Sequence, residues 1–89
     1  MKITGKPKFF MDNFYAAKNE LTEEAFGMFL LYHGEAWDAL DEFLGEIDRT
    51  ESDLERELEE AGYFERVPAE WVDEGWIYNI VPSKRVCTF

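Results

Sequence analysis

The stretch ESDLERELEEAGYFE, residues 51–65, carries the clearest helix signals in this chain. Ser52 and Glu55 have the spacing of a capping box, in which each side chain bonds a backbone N–H at the start of a helix. Thr50 and Asp53 have the same spacing and compete for the same start. The pattern predicts a helix here and leaves its first residue open between the two.

The end of the same helix is marked by Gly62. Glycine tolerates the left-handed backbone conformation that terminates many helices, and the following Tyr63 would then contact Leu58. The sequence therefore predicts that the helix ends just before Gly62.

Two more helices are predicted upstream. Thr22 is a good N-cap, and apolar positions then recur at the spacing of one buried face until Gly34. Residues 35–47 form the next helix, with acidic side chains opposite its apolar face. The predicted buried positions are Phe26, Phe29, Leu30 and His33 in the first of these helices, and Trp37, Leu40, Leu44 and Ile47 in the second, with Phe43 on its flank.

The two ends of the chain read as strands. The sequence predicts a short strand over residues 2–4 and leaves its end open as far as Phe10. Residues 11–20 fit a loop or a short helix equally well. GWIYNIV and KRVCTF (residues 75–81 and 84–89) are β-branched and aromatic runs, and Pro82-Ser83 between them suggests an antiparallel hairpin. We therefore predict a single α+β domain over residues 1–89, with about three helices and a small antiparallel sheet that includes a C-terminal hairpin.

Charge is the unusual property of this chain. The 89 residues carry a net charge of −11, and residues 20–60 hold fifteen acids against Arg49 and Arg56. Residues 1–19 are basic and residues 61–89 are nearly neutral. The acidity is thus regional, which argues against a general adaptation to high salt.

No catalytic or metal-binding constellation emerges. One histidine and one cysteine far apart in the sequence do not make a usual transition-metal site, and no glycine-rich phosphate loop is present. We interpret His33 as a core or boundary residue and Cys87 as a small buried hydrophobic residue. We expect a protein that is not an enzyme, binds no cofactor or metal, and does not enter a membrane. Without a signal peptide, a cytoplasmic location is expected, in the host cell if a phage encodes the chain.

The sign of the charge bears on partners. Phosphate neutralisation by basic residues supplies most non-specific affinity for nucleic acid, and the helices of this chain have the opposite sign. Direct nucleic-acid binding is therefore disfavoured, whereas a basic protein partner would be attracted.

Acids recur every fourth residue on two predicted helices, although like charges at that spacing destabilise a helix by about 0.2–0.5 kcal/mol per pair. One interpretation is a solvated helix face; the other is a surface shaped for a basic partner. On the second interpretation the partner-binding residues are Asp38, Asp41, Glu42, Glu46, Glu51, Glu55 and Glu59.

The stretch EAWDALDEFLGEIDRTESDLERELEEAGYF, residues 35–64, resembles in charge and composition the small acidic inhibitors that phages and plasmids direct against host defence. These are the DNA-mimic antirestriction proteins and some anti-CRISPR proteins. YHGEAWDAL also resembles a helix of barstar-type ribonuclease inhibitors, although the order of the other elements does not follow. The resemblance implies a non-enzymatic protein that occupies the nucleic-acid channel of a nuclease complex.

Two alternatives stay open. An immunity or antitoxin protein that neutralises a basic toxin would share these electrostatics. An adaptor or structural domain with a merely solvated acidic face would use exposed aromatics such as Trp71 and Trp76 instead. Whether the chain forms homo-oligomers is left open by the sequence.

Overall fold

The structure is a computed structural model that describes residues 8–71, 73 and 75–88. Within them, four α-helices precede two strands of a hairpin, and a pair of very short strands joins the two ends of the described chain. The elements are β1 (Lys8–Phe9), α1 (Met11–Glu20), α2 (Glu23–His33), α3 (Trp37–Glu46), α4 (Glu51–Glu60), β2 (Phe64–Pro68), β3 (Trp76–Ile80) and β4 (Cys87–Thr88). The predicted α+β class is confirmed, with four helices in the described residues rather than about three.

The additional helix is α1, over the residues that the sequence left between a loop and a short helix. No side chain caps its start, and Ala17 is its fully buried residue. Phe14 packs edge-to-face on Phe26 of α2, with ring centroids 5.3 Å apart. The Asn13 amide donates a hydrogen bond to the Arg85 carbonyl oxygen at 2.6 Å, which attaches α1 to the C-terminal segment.

Helix α2 lies at the centre, with α3 and α4 both packed against it. The Thr22 hydroxyl accepts a hydrogen bond from the Ala25 N–H, so the predicted N-cap is confirmed. Ala25, Met28 and Phe29 are its fully buried residues. Of the four predicted positions, only Phe29 is fully buried, whereas Phe26, Leu30 and His33 are half-buried. The buried face is displaced and broader than predicted, because two neighbouring helices cover α2.

Helix α3 begins at Trp37, two residues after the predicted start of that helix, and Glu46 is its last residue. Leu40 is buried and Phe43 packs against the core beside it. Trp37 was expected on the same apolar face, but it is 48% exposed. Its ring packs edge-to-face on Tyr32, so it lies at the margin of the core.

The start of helix α4 shows which of the two capping patterns is used. Thr50 is the N-cap, and its hydroxyl accepts a hydrogen bond from the Asp53 N–H at 3.1 Å. At the other end Gly62 has a φ of +86°. The Tyr63 N–H bonds the Leu58 carbonyl oxygen at 2.9 Å, and the Gly62 N–H bonds that of Glu59 at 3.1 Å. These two bonds form a Schellman motif, which confirms the predicted helix end.

The C-terminal third contains an antiparallel hairpin, but its strands differ from those predicted. β3 pairs with β2, in a register that places Phe64 opposite Ile80 and Pro68 opposite Trp76. The predicted second strand, residues 84–89, instead contributes Cys87–Thr88, which pairs with Lys8–Phe9 as a separate two-stranded sheet. Pro82–Lys84 form a 3-10 helical turn, so the proline there does not begin a hairpin turn.

The N-terminal strand prediction is confirmed only at its end. Lys8 and Phe9 form β1, whereas residues 2–4 lie outside the described residues.

The core lies where α2, α4 and the hairpin meet. Tyr63 is completely buried, its ring packs edge-to-face on Phe29, and its hydroxyl donates to Glu20 at 2.6 Å. Burial and this bond to a carboxylate raise the pKa of Tyr63, so the hydroxyl stays protonated as the donor. Leu54 and Leu58 of α4 are fully buried in the same core.

Candidate functional site

The acids of α3 form the first part of the candidate surface. Leu40, Phe43 and Leu44 turn the opposite face of the helix to the core. All four predicted binding residues on this helix are therefore exposed, and none has an ion-pair partner among the described residues: Asp38, Asp41, Glu42 and Glu46. Asp38, Glu42 and Glu46 follow each other at four-residue spacing, which aligns them as one ridge.

The acids of α4 lie in a different setting. Glu51 is exposed, but Glu55 and Glu59 are half-buried on the flank that faces the hairpin. A polar groove of about 560 Å³, which we name the acidic groove, is lined by Ser52, Glu55, Arg56, Glu59, Glu60, Arg66, Trp76 and Tyr78. Predicted binding residues are thus part of a concave surface rather than a fully solvated helix face.

Glu55 is the most perturbed carboxyl in this groove. Its burial, followed by the negative charges of Glu51 and Glu59, raises the pKa of Glu55 to about 7. Arg66 opposes this shift without cancelling it. Its guanidinium lies 3.7 Å from the Glu59 carboxylate and also stacks over the Tyr78 ring. A further cation in the acidic groove would therefore favour the ionised form of Glu55.

The other flank of α4 is fully paired, which the sequence did not reveal. The Glu57 carboxylate accepts a hydrogen bond from the Thr22 N–H at 2.9 Å, and Arg49 lies 2.7 Å from it. Burial alone would raise the pKa of Glu57, but these bonds hold it below its ordinary value. Arg49 also bonds Asp53 at 2.6 Å. Because Arg49 is held in this junction, it does not neutralise the acids on the opposite flank.

Tyr32 is affected by residues of both acidic helices. Its ring contacts Trp37 at the start of α3, with centroids 5.1 Å apart. Burial, then the charges of Glu55 and Glu51, raise the pKa of the Tyr32 hydroxyl, which places it in the electrostatic field of α4. Tyr32 thus contacts the start of α3 and is influenced by the charges of the α4 acids.

A second groove, of about 710 Å³, opens beside Tyr32. We name it the aromatic groove; Tyr32, Trp37 and Trp71 line it together with four consecutive residues of β3, 77–80. Trp71 is 77% exposed. Trp76 lies in the acidic groove instead, so the structure separates the two tryptophans that the sequence grouped together.

His33 and Cys87 meet in the aromatic groove although they are far apart in the sequence. His33 is half-buried, and its Nε2 accepts a hydrogen bond from the Val86 N–H at 3.3 Å, as expected of a satisfied boundary histidine. The Cys87 sulfur lies 3.8 Å from Nδ1. Burial, with the positive charge of Arg85, lowers the pKa of His33, which favours the neutral ring that this acceptor role requires.

Comparisons with known proteins found no matching family model and no similar protein among curated sequences or solved structures. Among the described helices, none combines the length and apolar character needed to traverse a bilayer.

Proposed function

We propose that this protein is a non-enzymatic acidic inhibitor that binds a basic, nucleic-acid-binding protein and blocks its nucleic-acid site by charge mimicry. A nuclease complex of host defence is the partner class we favour. The observation that carries this proposal is the row of α3 carboxylates that have no ion-pair partner among the described residues, together with Glu55 of α4, whose ionised form is destabilised by its neighbours.

The spacing of these acids suits a phosphate-binding surface. One acid per helical turn gives a charge about every 5.4 Å, against one per about 1.7 Å along duplex DNA. Two acidic helices therefore present a row of negative charges that is sparser than that of duplex DNA. Lysine and arginine side chains that contact phosphates in the partner would be attracted to this row, and at Glu55 they would also relieve repulsion.

The experiment is capture of partners from a candidate host lysate by the immobilised protein, at salt concentrations of about 0.05 M and about 0.5 M. We expect capture at low salt, its loss at high salt, and competition by added duplex DNA. The double variant Glu42→Lys/Glu46→Lys should lose the partner. The matched control Glu65→Lys/Glu70→Lys changes the net charge by the same amount at exposed positions outside the proposed surface. This control should retain most of the partner binding.

A partner that binds DNA and this protein at the same time, each with full affinity, would rule out mimicry. Equal loss in both double variants would show that only overall charge matters. An antitoxin would share the salt dependence, so the captured protein's identity, a toxin or a defence nuclease, separates those two possibilities.

The exposed tryptophans favour a second candidate, an adaptor that binds through aromatic contacts. Trp71 is 77% exposed and Trp76 52% exposed, which are large apolar surfaces to leave in water. This candidate predicts capture that persists at high salt, tolerates charge reversal on α3, and is lost in Trp71→Ala or Trp76→Ala.

A further inference from the structure

The hydrogen-bond pattern of the hairpin shows which backbone groups of β3 point away from β2. The Val81 N–H bonds the Tyr63 carbonyl oxygen at 2.9 Å, and the Ala69 N–H bonds that of Gly75 at 2.6 Å. Bonded pairs alternate along an antiparallel ladder, so in this register Ile77 and Asn79 bond β2. The N–H and C=O groups of Trp76, Tyr78 and Ile80 therefore point to the opposite edge.

That edge pairs with no other strand in the described part of the chain, and we name it the open edge of β3. The Tyr32 hydroxyl donates to the Tyr78 carbonyl oxygen, which agrees with the direction assigned to that group. An added strand would therefore share or replace this bond at Tyr78 and use the carbonyl oxygens of Trp76 and Ile80 beside it. No acceptor is described for the N–H groups of Tyr78 and Ile80. An extended strand with unpaired donors is a template for pairing with another chain.

Successive residues of a strand point to opposite faces of its sheet, so a groove on one face is lined by alternate residues. The aromatic groove is lined by four consecutive residues of β3, and it therefore lies along the open edge. At a rise of about 3.3 Å, a strand spacing of about 4.8 Å and a sheet spacing of about 10 Å, one strand residue occupies roughly 160 Å³. The groove volume of about 710 Å³ therefore accommodates roughly four residues of an added strand. Trp37 and Trp71 provide apolar contacts for its side chains.

We propose that the open edge of β3 takes up an extended, basic segment of the partner as an additional strand. Main-chain hydrogen bonds would supply affinity and the aromatic groove would select alternate side chains, as in other cases of strand addition. A second copy of this chain is disfavoured as the occupant, because two molecules of charge −11 repel each other. The basic character of the segment rests on the proposed function; the pairing itself rests on the hairpin geometry.

The test begins with the intact protein and a display library of random octapeptides. We expect selected peptides to combine alternating apolar positions with lysine or arginine. Methylating the backbone nitrogens that face β3 in the best peptide removes hydrogen bonds but keeps its charge, and should weaken binding about tenfold. Amide exchange of Tyr78 and Ile80 should slow by a similar factor on adding the unmodified peptide, while Ile77 and Asn79, already bonded to β2, change little.

Trp71→Ala should weaken binding of that peptide, whereas Trp76→Ala, a matched loss of an exposed tryptophan outside the aromatic groove, should not. Failure to enrich any peptide, or equal affinity of the methylated peptide, would overturn strand addition. Protection of Tyr78 and Ile80 that grows with protein concentration alone would assign the edge to a second copy and overturn the proposal. Enriched peptides without basic residues would overturn the basic segment. The charge-reversal and DNA-competition experiments on the lysate partner test the proposed function, and the peptide experiments test strand addition. Either proposal can therefore fail while the other holds.

Discussion

Gly62 has a backbone conformation that a side chain would make costly. At φ +86° a residue with a Cβ atom is disfavoured by about 1–2 kcal/mol relative to the right-handed region. We therefore expect Gly62→Ala to lower the free energy of unfolding by about 1 kcal/mol, measured by chemical denaturation. An added Cβ at Gly62 meets no atom within 4 Å, so the effect would come from the backbone alone.

Gly45 supplies the control for that experiment. It lies inside α3, where an added Cβ also meets nothing within 4 Å. Gly45→Ala should raise stability by up to about 1 kcal/mol, because alanine is the better helix former. Unchanged or increased stability of Gly62→Ala would contradict the left-handed cap.

Residues whose roles depend on their near neighbours were predictable. Thr22 and Gly62 act within one helical turn, and their roles follow from the spacing of polar and apolar residues around them. The Thr22–Glu57 and His33–Cys87 contacts join residues 35 and 54 positions apart. No local pattern marks such pairs, because the packing of whole elements brings them together.

Helix α4 should become more stable as its most perturbed carboxyl is protonated. The pKa of Glu55 is about 7 in the folded protein against an ordinary value of 4.5, so the folded state binds this proton more tightly than the unfolded state. The resulting stabilisation is complete below about pH 4.5 and is lost as the pH rises to 7 and above. At such pH values the ionised Glu55 carboxylate destabilises the folded state.

Glu55→Gln should therefore raise the melting temperature at pH 8 and have little effect at pH 5. Since Glu55 is half-buried, solvent screening reduces the gain to on the order of 1 kcal/mol, or about 4–8 °C for a domain of this size. Glu60→Gln, an exposed position on the same helix, serves as the control. A Glu55→Gln variant that gains nothing at pH 8, or gains equally at both pH values, would contradict the assignment.

Elements with strong periodicity were predicted, and those that depend on distant partners were not. α4 has caps at both ends, whereas α1 has no side-chain cap and Ala17 is its one fully buried residue, so its sequence fitted a loop as well as a short helix. The partner of β3 could not be deduced because Pro82-Ser83 looks like a hairpin turn, while the true connection runs through residues 69–75. Of the candidate site, the exposure of the α3 acids was predictable, whereas the acidic groove beside α4 and the aromatic groove beside Tyr32 both depend on the position of the hairpin.

Across the whole molecule, repulsion among the acids should make stability depend on salt. The principal extents are 35, 33 and 24 Å, comparable to the Debye length of about 30 Å in 0.01 M salt. At about 0.1 M that length falls to about 10 Å, so most repulsion between distant acids is screened. We expect the melting temperature to rise by several degrees over this range, by about 4–8 °C for each kcal/mol relieved.

The Glu42→Lys/Glu46→Lys variant provides the comparison, because it replaces two repulsive charges by attractive ones. Its melting temperature should depend less on salt than that of the wild-type protein. If low salt stabilised the wild-type chain instead, its attractive ion pairs, such as those of Arg49, would outweigh the repulsion.

The pairing of β1 with β4 has a mechanical consequence. Lys8 lies opposite Thr88 and Phe9 opposite Cys87, so the outer residue of each strand stands at the same end of this small sheet. A force that pulls Lys8 away from Thr88 would load the hydrogen bonds between the strands one after another, as in opening a zipper, rather than all at once in shear. The two ends would separate under a small load while the four helices and the β2–β3 hairpin still carried none of it.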